Sequence, residues 1–266
     1  MSIVVKDEVR YDIKDGVLIN ITDLSRENRK EIVIPHTFEN GDRIDVIGSN
    51  LSGIKGYNRV CDKIIISDEI SEVHPYAFSE VSVKTIQWSK GCKKIPFRCF
   101  AESTVEQITN IENVRFVEGL AFANSNIKTI VWPSSCHLIP AGCFLGSSLE
   151  TIDGLEKVTE IQGNAFEGCR LSSFEWPLEC SVVPRSCFSG CIYLNEVSNM
   201  HNVAEIQTKA FENCALEGIL DLSDTIAMSI EKAAFYGVAE ENVIFPYYMP
   251  QPIINNSFRP SRTWRA

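Results

Sequence analysis

The chain has 266 residues, 44% of them hydrophobic, enough for one large core or two smaller ones. Its formal net charge of −10 argues against a nucleic-acid binder, which needs a basic surface to displace counterions from phosphates, and against docking on anionic lipid. No apolar run is long enough to cross a bilayer.

The N-terminal segment MSIVVKDEVRYDIKDG lacks the apolar stretch of a secretory signal. The expected location is therefore the cytoplasm, with the cell surface by a non-classical route as the alternative. The glycosylation triplets at Asn20, Asn50 and Asn255 are then read as chance, and the ten cysteines as reduced.

In chain order, VRYDIKDGVLINI (Val9–Ile21) predicts a hairpin closed at Asp15-Gly16. It opens a capping segment over residues 1–45. Residues 46–60 read as a degenerate coil with Leu51 in a place that later coils give to phenylalanine.

From there a period takes over. Phe78, Phe100, Phe122, Phe144, Phe166 and Phe188 are 22 residues apart, and Phe211, Phe235 and Phe258 follow at 23, 24 and 23. The residue before each is small: Ala77, Cys99, Ala121, Cys143, Ala165, Cys187, Ala210, Ala234. Five before it stands Val or Ile, from Val73 to Ile230, and fourteen before it Ile86, Ile108, Ile130, Ile152, Phe174 and Val197. A unit this short cannot bury its own apolar face, so it must stack on its neighbours.

The predicted fold is a right-handed repeat solenoid of about ten coils of 22–24 residues. It is β-rich, with short parallel strands such as Val83–Trp88 and irregular or short 3-10 convex segments. One domain spans 1–266: cap 1–45, repeats 46–258 ending in a divergent coil (NVIFPYYMPQPIINNSF), and a basic tail 259–266.

A second period of 44 overlies the first. Trp88, Trp132 and Trp176 alternate with Asn110, Gly154 and Asn199. Side-chain volume is the expected reason, a small residue making room for an indole on the next rung. Strand parity puts Ile86 and Trp88 on one face, so the tryptophans are expected in the core rather than on a binding platform.

Cys92, Cys136 and Cys180 stand where other coils have Val, and Cys99, Cys143 and Cys187 where others have Ala. Both columns point inward, so these cysteines read as small buried hydrophobes. Their spacing does not match the C-x2-4-C pairs of metal sites. Cys169, Cys191 and Cys214 lie on consecutive coils, about 4.8 Å apart if stacked. A reduced ladder is the favoured reading, with a disulfide and a metal site as weaker alternatives. His36, His74, His137 and His201 occupy four different phases and form no cluster; His137 should face solvent.

Units such as VTEIQGNAFEGCRLSSFEWP and VKTIQWSKGCKKIPFRCFAES resemble the BspA-type leucine-rich repeat, across roughly residues 9 to 258. That resemblance implies a leucine-rich-repeat-like solenoid that binds other macromolecules, often on microbial surfaces, and not an enzyme. The chain departs from it in lacking an export signal and in placing Trp and Cys where the family has Ile and Val.

The natural recognition surface is the outward side of the strands: Lys84, Thr85, Gln87; Glu106, Gln107, Thr109; Lys128, Thr129, Val131; Glu150, Thr151, Asp153. Reading along one column gives Lys84, Glu106, Lys128, Glu150, alternating charges expected to pair across rungs. The expected function is an interaction module with a protein partner. It needs no cofactor, metal, nucleic acid or membrane insertion, and is monomeric or associates end to end. The alternative is a structural or adhesin-like surface component.

Overall fold

The computed structural model describes residues 1–25, 29–51, 61–225 and 229–260. It is a β-solenoid of about eight turns with stacked parallel strands, close to the ten that the period suggests. A strand meander and a helix stand at the two ends in place of full coils. Two compact units divide the chain, Met1–Cys136 and His137–Ala266.

The first unit opens on three antiparallel strands, Ser2–Lys6, Val9–Lys14 and Val17–Asp23. Both reversals have two central residues at positive φ: Asp7 (49°) and Glu8 (58°), then Asp15 (53°) and Gly16 (77°). This is the turn whose twist matches that of the strands it joins. Asp-Gly announces the second hairpin in the sequence. Asp-Glu is a poor signal for the first, so strand Ser2–Lys6 is not predicted. Tyr11 is buried, and its hydroxyl donates to the Val33 carbonyl at 2.6 Å.

Strand Val17–Asp23 runs on in parallel into Val46–Ile47 and Glu72–Val73. A second row of strands, Glu31–Ile34, Cys61–Ile66, Val83–Gln87 and Gln107–Thr109, sets Ile32, Ile64, Ile86 and Ile108 side by side, all buried. A slip of one residue would turn that whole isoleucine row to solvent, so the register is fixed. Leu51 is buried in the phenylalanine place, and its N–H donates to the Ala77 carbonyl at 3.1 Å. The rest of the predicted degenerate coil, residues 52–60, lies outside the described residues.

In the second unit, strands Ser173–Glu175 and Glu196–Ser198 pair in parallel, as do Leu220–Asp221 and Val243–Ile244. The other row holds Leu138–Ile139 with Glu160–Ile161, and Val182–Val183 with Glu205–Ile206 and Ser229–Ile230. Short 3-10 turns occur at Met200–Asn202 and Glu240–Asn242.

The last segment opens on strand Val243–Ile244, in register with Leu220–Asp221, and ends with Phe258 packed on Phe235, but the stretch between them departs from the strand pattern. It forms an α-helix, Gln251–Ser257, with Pro252 in its first turn, where proline's missing N–H has no intrahelical partner to lose. The carbonyls of Asn256 and Ser257 accept the N–H groups of Ala233 and Phe235 at 3.1 and 2.9 Å. The helix thus supplies the acceptors that a further coil would offer. Of the predicted basic tail, residues 261–266 lie outside the described residues.

A third row is the phenylalanine ladder. In the first unit, Phe78–Phe100 and Phe100–Phe122 stack with ring centroids 5.7 and 5.4 Å apart. In the second, Phe144, Phe166, Phe188, Phe211 and Phe235 stack at 5.4–5.7 Å. Within each unit, the phenylalanine N–H groups reach the carbonyl of the small residue one coil on, as Phe100 to Ala121 and Phe188 to Ala210, both 2.8 Å. The small column is therefore where the backbones of successive coils meet.

The 44-residue alternation has a backbone cause that the volume argument misses. Asn110, Gly154 and Asn199 have φ of 64°, 80° and 69°, a conformation that Asn and Gly tolerate and an indole-bearing residue does not. Trp132 and Trp176 precede Pro133 and Pro177, which hold the preceding residue extended. The two coil types are two turn conformations.

A further left-handed position recurs two residues after each phenylalanine, filled by Glu80, Glu102, Asn124, Gly146, Gly168, Gly190, Asn213 and Gly237. A Cβ on Gly168 would meet nothing nearer than the Gly146 Cα at 3.6 Å, an ordinary contact. Gly168→Ala should therefore lose about 1–2 kcal/mol through its φ of 70° alone. The measurement is a lower urea midpoint at unchanged m-value.

Candidate interaction surface

The columns that look chemical in the sequence are all turned inward. Every cysteine is buried and free of disulfides. The Cys92, Cys136 and Cys180 thiols lie 3.2, 3.4 and 3.5 Å from the carbonyls of Ile70, Val114 and Val158 on the coil before. Cys169, Cys191 and Cys214 do the same to Phe144, Phe166 and Phe188 at 3.1, 3.0 and 2.9 Å. These thiols are more than small hydrophobes, because each places a weak S–H donor on a carbonyl that the strand rows leave over.

Burial pushes the thiols of Cys92, Cys136 and Cys180 up to about 11 and that of Cys191 up to about 12. It raises Cys99, Cys169, Cys187 and Cys214 as well. A nucleophilic or metal-binding cysteine needs the opposite shift and an approach path. Among the described residues no group of three or more His, Cys, Asp or Glu could hold a metal ion. Native protein at pH 8 should accordingly react with Ellman's reagent at no cysteine on the timescale of minutes, and at all ten once unfolded in guanidinium. Prompt reaction of even two thiols would refute their structural role.

Trp88, Trp132 and Trp176 are core, as predicted. The indoles of Trp132 and Trp176 donate to the carbonyls of Cys136 and Cys180 at 3.0 and 2.7 Å. Trp88 Nε1 has no partner among the described residues; Ser89 follows it where the other two have proline. His137 is exposed and bonds the Lys157 carbonyl at 2.7 Å.

In each unit, the outward residues of the strands form a regular surface. In the first, the parallel register puts Thr85 beside Gln107 and Gln87 beside Thr109. Thr129 and Val131 are exposed on strand Thr129–Val131. Lys128 Nζ meets Glu106 at 2.7 Å, as the alternating column predicts. Lys84 does not pair with Glu106. It meets Asp62, one coil earlier, at 2.7 Å. Lys63, beside Glu31 and Thr85 in register, continues the face backwards. The period misses these residues because the coil that precedes them is degenerate.

In the second unit, Glu150, Thr151 and Asp153 are exposed at the start of the face. It continues through Ser173, Glu175, Glu196, Ser198, Asp221 and Ile244, none of them in the predicted set. Column arithmetic reaches the first four, since each stands where Thr85 or Gln87 stands in its own coil; Asp221 and Ile244 stand fourteen before Phe235 and Phe258, the place of buried Ile86, so counting would turn them inward.

The family model for BspA type leucine rich repeat regions matches residues 56–150 and 118–240, in 6 copies. The chain belongs to the BspA-type leucine-rich repeat family. No curated protein matches it. Among solved structures, this BspA-type chain is similar to a leucine rich cell surface protein from Faecalibacterium prausnitzii A2-165, at 18% identity and TM-score 0.61, over 92% of this chain and 77% of that one. It is also similar to a leucine-rich repeat protein from Bacteroides ovatus, at 19% identity and TM-score 0.66, over 88% of this chain. It spans 62% of that relative's length. At these identities the likeness concerns the BspA-type fold.

Proposed function

We propose that this BspA-type chain is a non-enzymatic interaction module that binds a protein partner through the outward face of its strands. One observation carries the reading. The buried columns absorb the cysteines, Trp88, Trp132 and Trp176, while in each unit a register-locked row of polar side chains stays on the outward side, half-buried to exposed, from coil to coil. Solenoids use such extended, rigid surfaces for recognition.

A photo-crosslinking amino acid tests it when placed at Thr85, Gln107 or Ser173 on this face, and at Lys94 or Glu160 on the other strand row. Adducts with a partner from the native cell should form from the first set. Adducts from the second set alone would reject the reading.

A second reading, a surface component that assembles with itself, draws on the N-terminal edge. Strand Ser2–Lys6 pairs on one side only and exposes Met1, Ile3 and Val5, and such an edge invites another strand. The helix at the other end offers no equivalent edge. The Faecalibacterium protein's description as a cell surface protein supports an adhesin-like role at the cell surface. A cytoplasmic location goes with the first reading.

A further inference from the structure

We infer that the strand face of the second unit docks an extended polypeptide segment in which Arg or Lys alternates with apolar residues. This rests on the strand-face reading above and narrows it to the face of the second unit and one partner chemistry.

The two units differ in what their charges already do. In the first unit, Lys84 is held by Asp62 and Lys128 by Glu106, each at 2.7 Å. Those charges satisfy one another. In the second unit, the segments 150–156, 172–179, 195–199 and 219–224 contain no Lys, Arg or His. Of their eight carboxylates, Glu150, Asp153, Glu156, Glu175, Glu196 and Asp221 make no ion pair among the described residues.

The register spaces these charges out. Glu196 stands beside Ser173, Glu175 beside Ser198, and Asp221 beside Ile244. No carboxylate in these pairs faces another, which limits their repulsion. They form a row and do not converge on a point. A row of separated anions matches a row of cations on a chain better than it matches one metal ion.

Apolar surface lies within the same face. Gly154 leaves a notch beside Trp176 and Pro177, a pocket of about 280 Å³ rimmed by Asp153, Glu156 and Glu175. Leu178 at its edge is 50% exposed, and Tyr247, one place after Pro246 as Leu178 is after Pro177, is 98% exposed. Ile219, just before strand Leu220–Asp221, and Ile244, on the strand beside it, are exposed. An Arg or Lys can lay its methylene stem on such a surface while its head reaches a carboxylate. The Tyr247 ring adds a face for a cation. Exposed apolar groups next to unpaired charge fit a segment that carries both.

The probe is a fluorescein-labelled peptide of repeated Arg-Ile-Ser units, titrated by anisotropy against the full chain. Binding should weaken about tenfold in Asp153→Asn/Glu175→Gln and as steeply when salt rises severalfold. It should weaken several-fold in Ile244→Ser. Glu160→Gln/Glu205→Gln, which removes the same charge from the other strand row, should leave it unchanged. Circular dichroism confirms that each variant folds.

Equal losses in both double variants would reduce the effect to net charge and overturn the inference. So would competition by millimolar calcium, which would indicate a metal site, or a salt-sensitive dimer lost in the same variants, which would make a second copy the occupant. No peptide binding, with crosslinks still formed at Thr85, Gln107 or Ser173, overturns this inference and leaves the broader strand-face reading standing.

Discussion

Phe166→Ala is expected to destabilise the second unit by about 3–5 kcal/mol, while Phe116→Ala changes stability by less than about 0.5 kcal/mol. Phe166 is fully buried. Its ring stacks on Phe144 at 5.7 Å and on Phe188 at 5.5 Å, and it packs against Phe174 at 5.0 Å. Truncation removes all three contacts at once.

The hole cannot close, because the backbone on both sides is tied down. Phe144 N–H is held by the Ala165 carbonyl at 2.8 Å, and Phe166 N–H by the Cys187 carbonyl at 3.0 Å. Phe116 is 66% exposed and leaves no hole. Urea denaturation of the two variants measures the contrast. Similar losses in both would mean that the phenylalanine ladder does not bear the core.

Stability should also fall steeply in alkali. Cys99, Cys169, Cys187, Cys191 and Cys214 are buried thiols whose ionisation burial pushes above the ordinary value near 9, to about 12 for Cys191. A raised native value means that the unfolded chain releases its protons first. The stabilisation is complete below pH 9 and is lost as pH rises through the native values.

Each such thiol costs about 1.4 kcal/mol per pH unit in that window. Acting together over one unit, five approach the whole stability of an ordinary domain, about 5–15 kcal/mol. Melting temperatures followed from pH 7 to 11 should hold level to about pH 9 and then collapse. Cys191→Ala should soften the fall by about one thiol's share. A level profile to pH 10.5 would show that these thiols are not held protonated.

Most of this fold is legible in the sequence because stacking forces like residues onto like. The Phe, Ala/Cys and Ile columns can be aligned by counting, and Asp15-Gly16 names its own turn. What escapes counting lies where the period stops. Strand Ser2–Lys6 follows a turn of Asp-Glu, a pair without the usual signal. The helix Gln251–Ser257 lies in a segment that the period reads as a last, divergent coil, and counting does not mark that Pro252 sits where a helix tolerates it.

Asn110, Gly154 and Asn199 are found by counting, but their reason is not, because φ is invisible to a volume argument. On the interaction surface the same limit holds. The outward columns can be read, yet which charges pair depends on Asp62 meeting Lys84 across a coil boundary that the period does not mark. The unpaired carboxylates of the second unit stand out only after those pairs are known.

The central claim is that recognition belongs to the strand face and that the cysteine and tryptophan columns serve only the core. Hydroxyl-radical footprinting of the chain with and without its crosslink-identified partner tests it most directly. The expected result is protection confined to outward strand residues such as Gln107, Glu175 and Ile244, with every cysteine and with Trp88, Trp132 and Trp176 equally unreactive in both states. Protection centred on Phe116 and the other strand row, or reactivity of the cysteines or of Trp88, Trp132 and Trp176 that changes on binding, would contradict it.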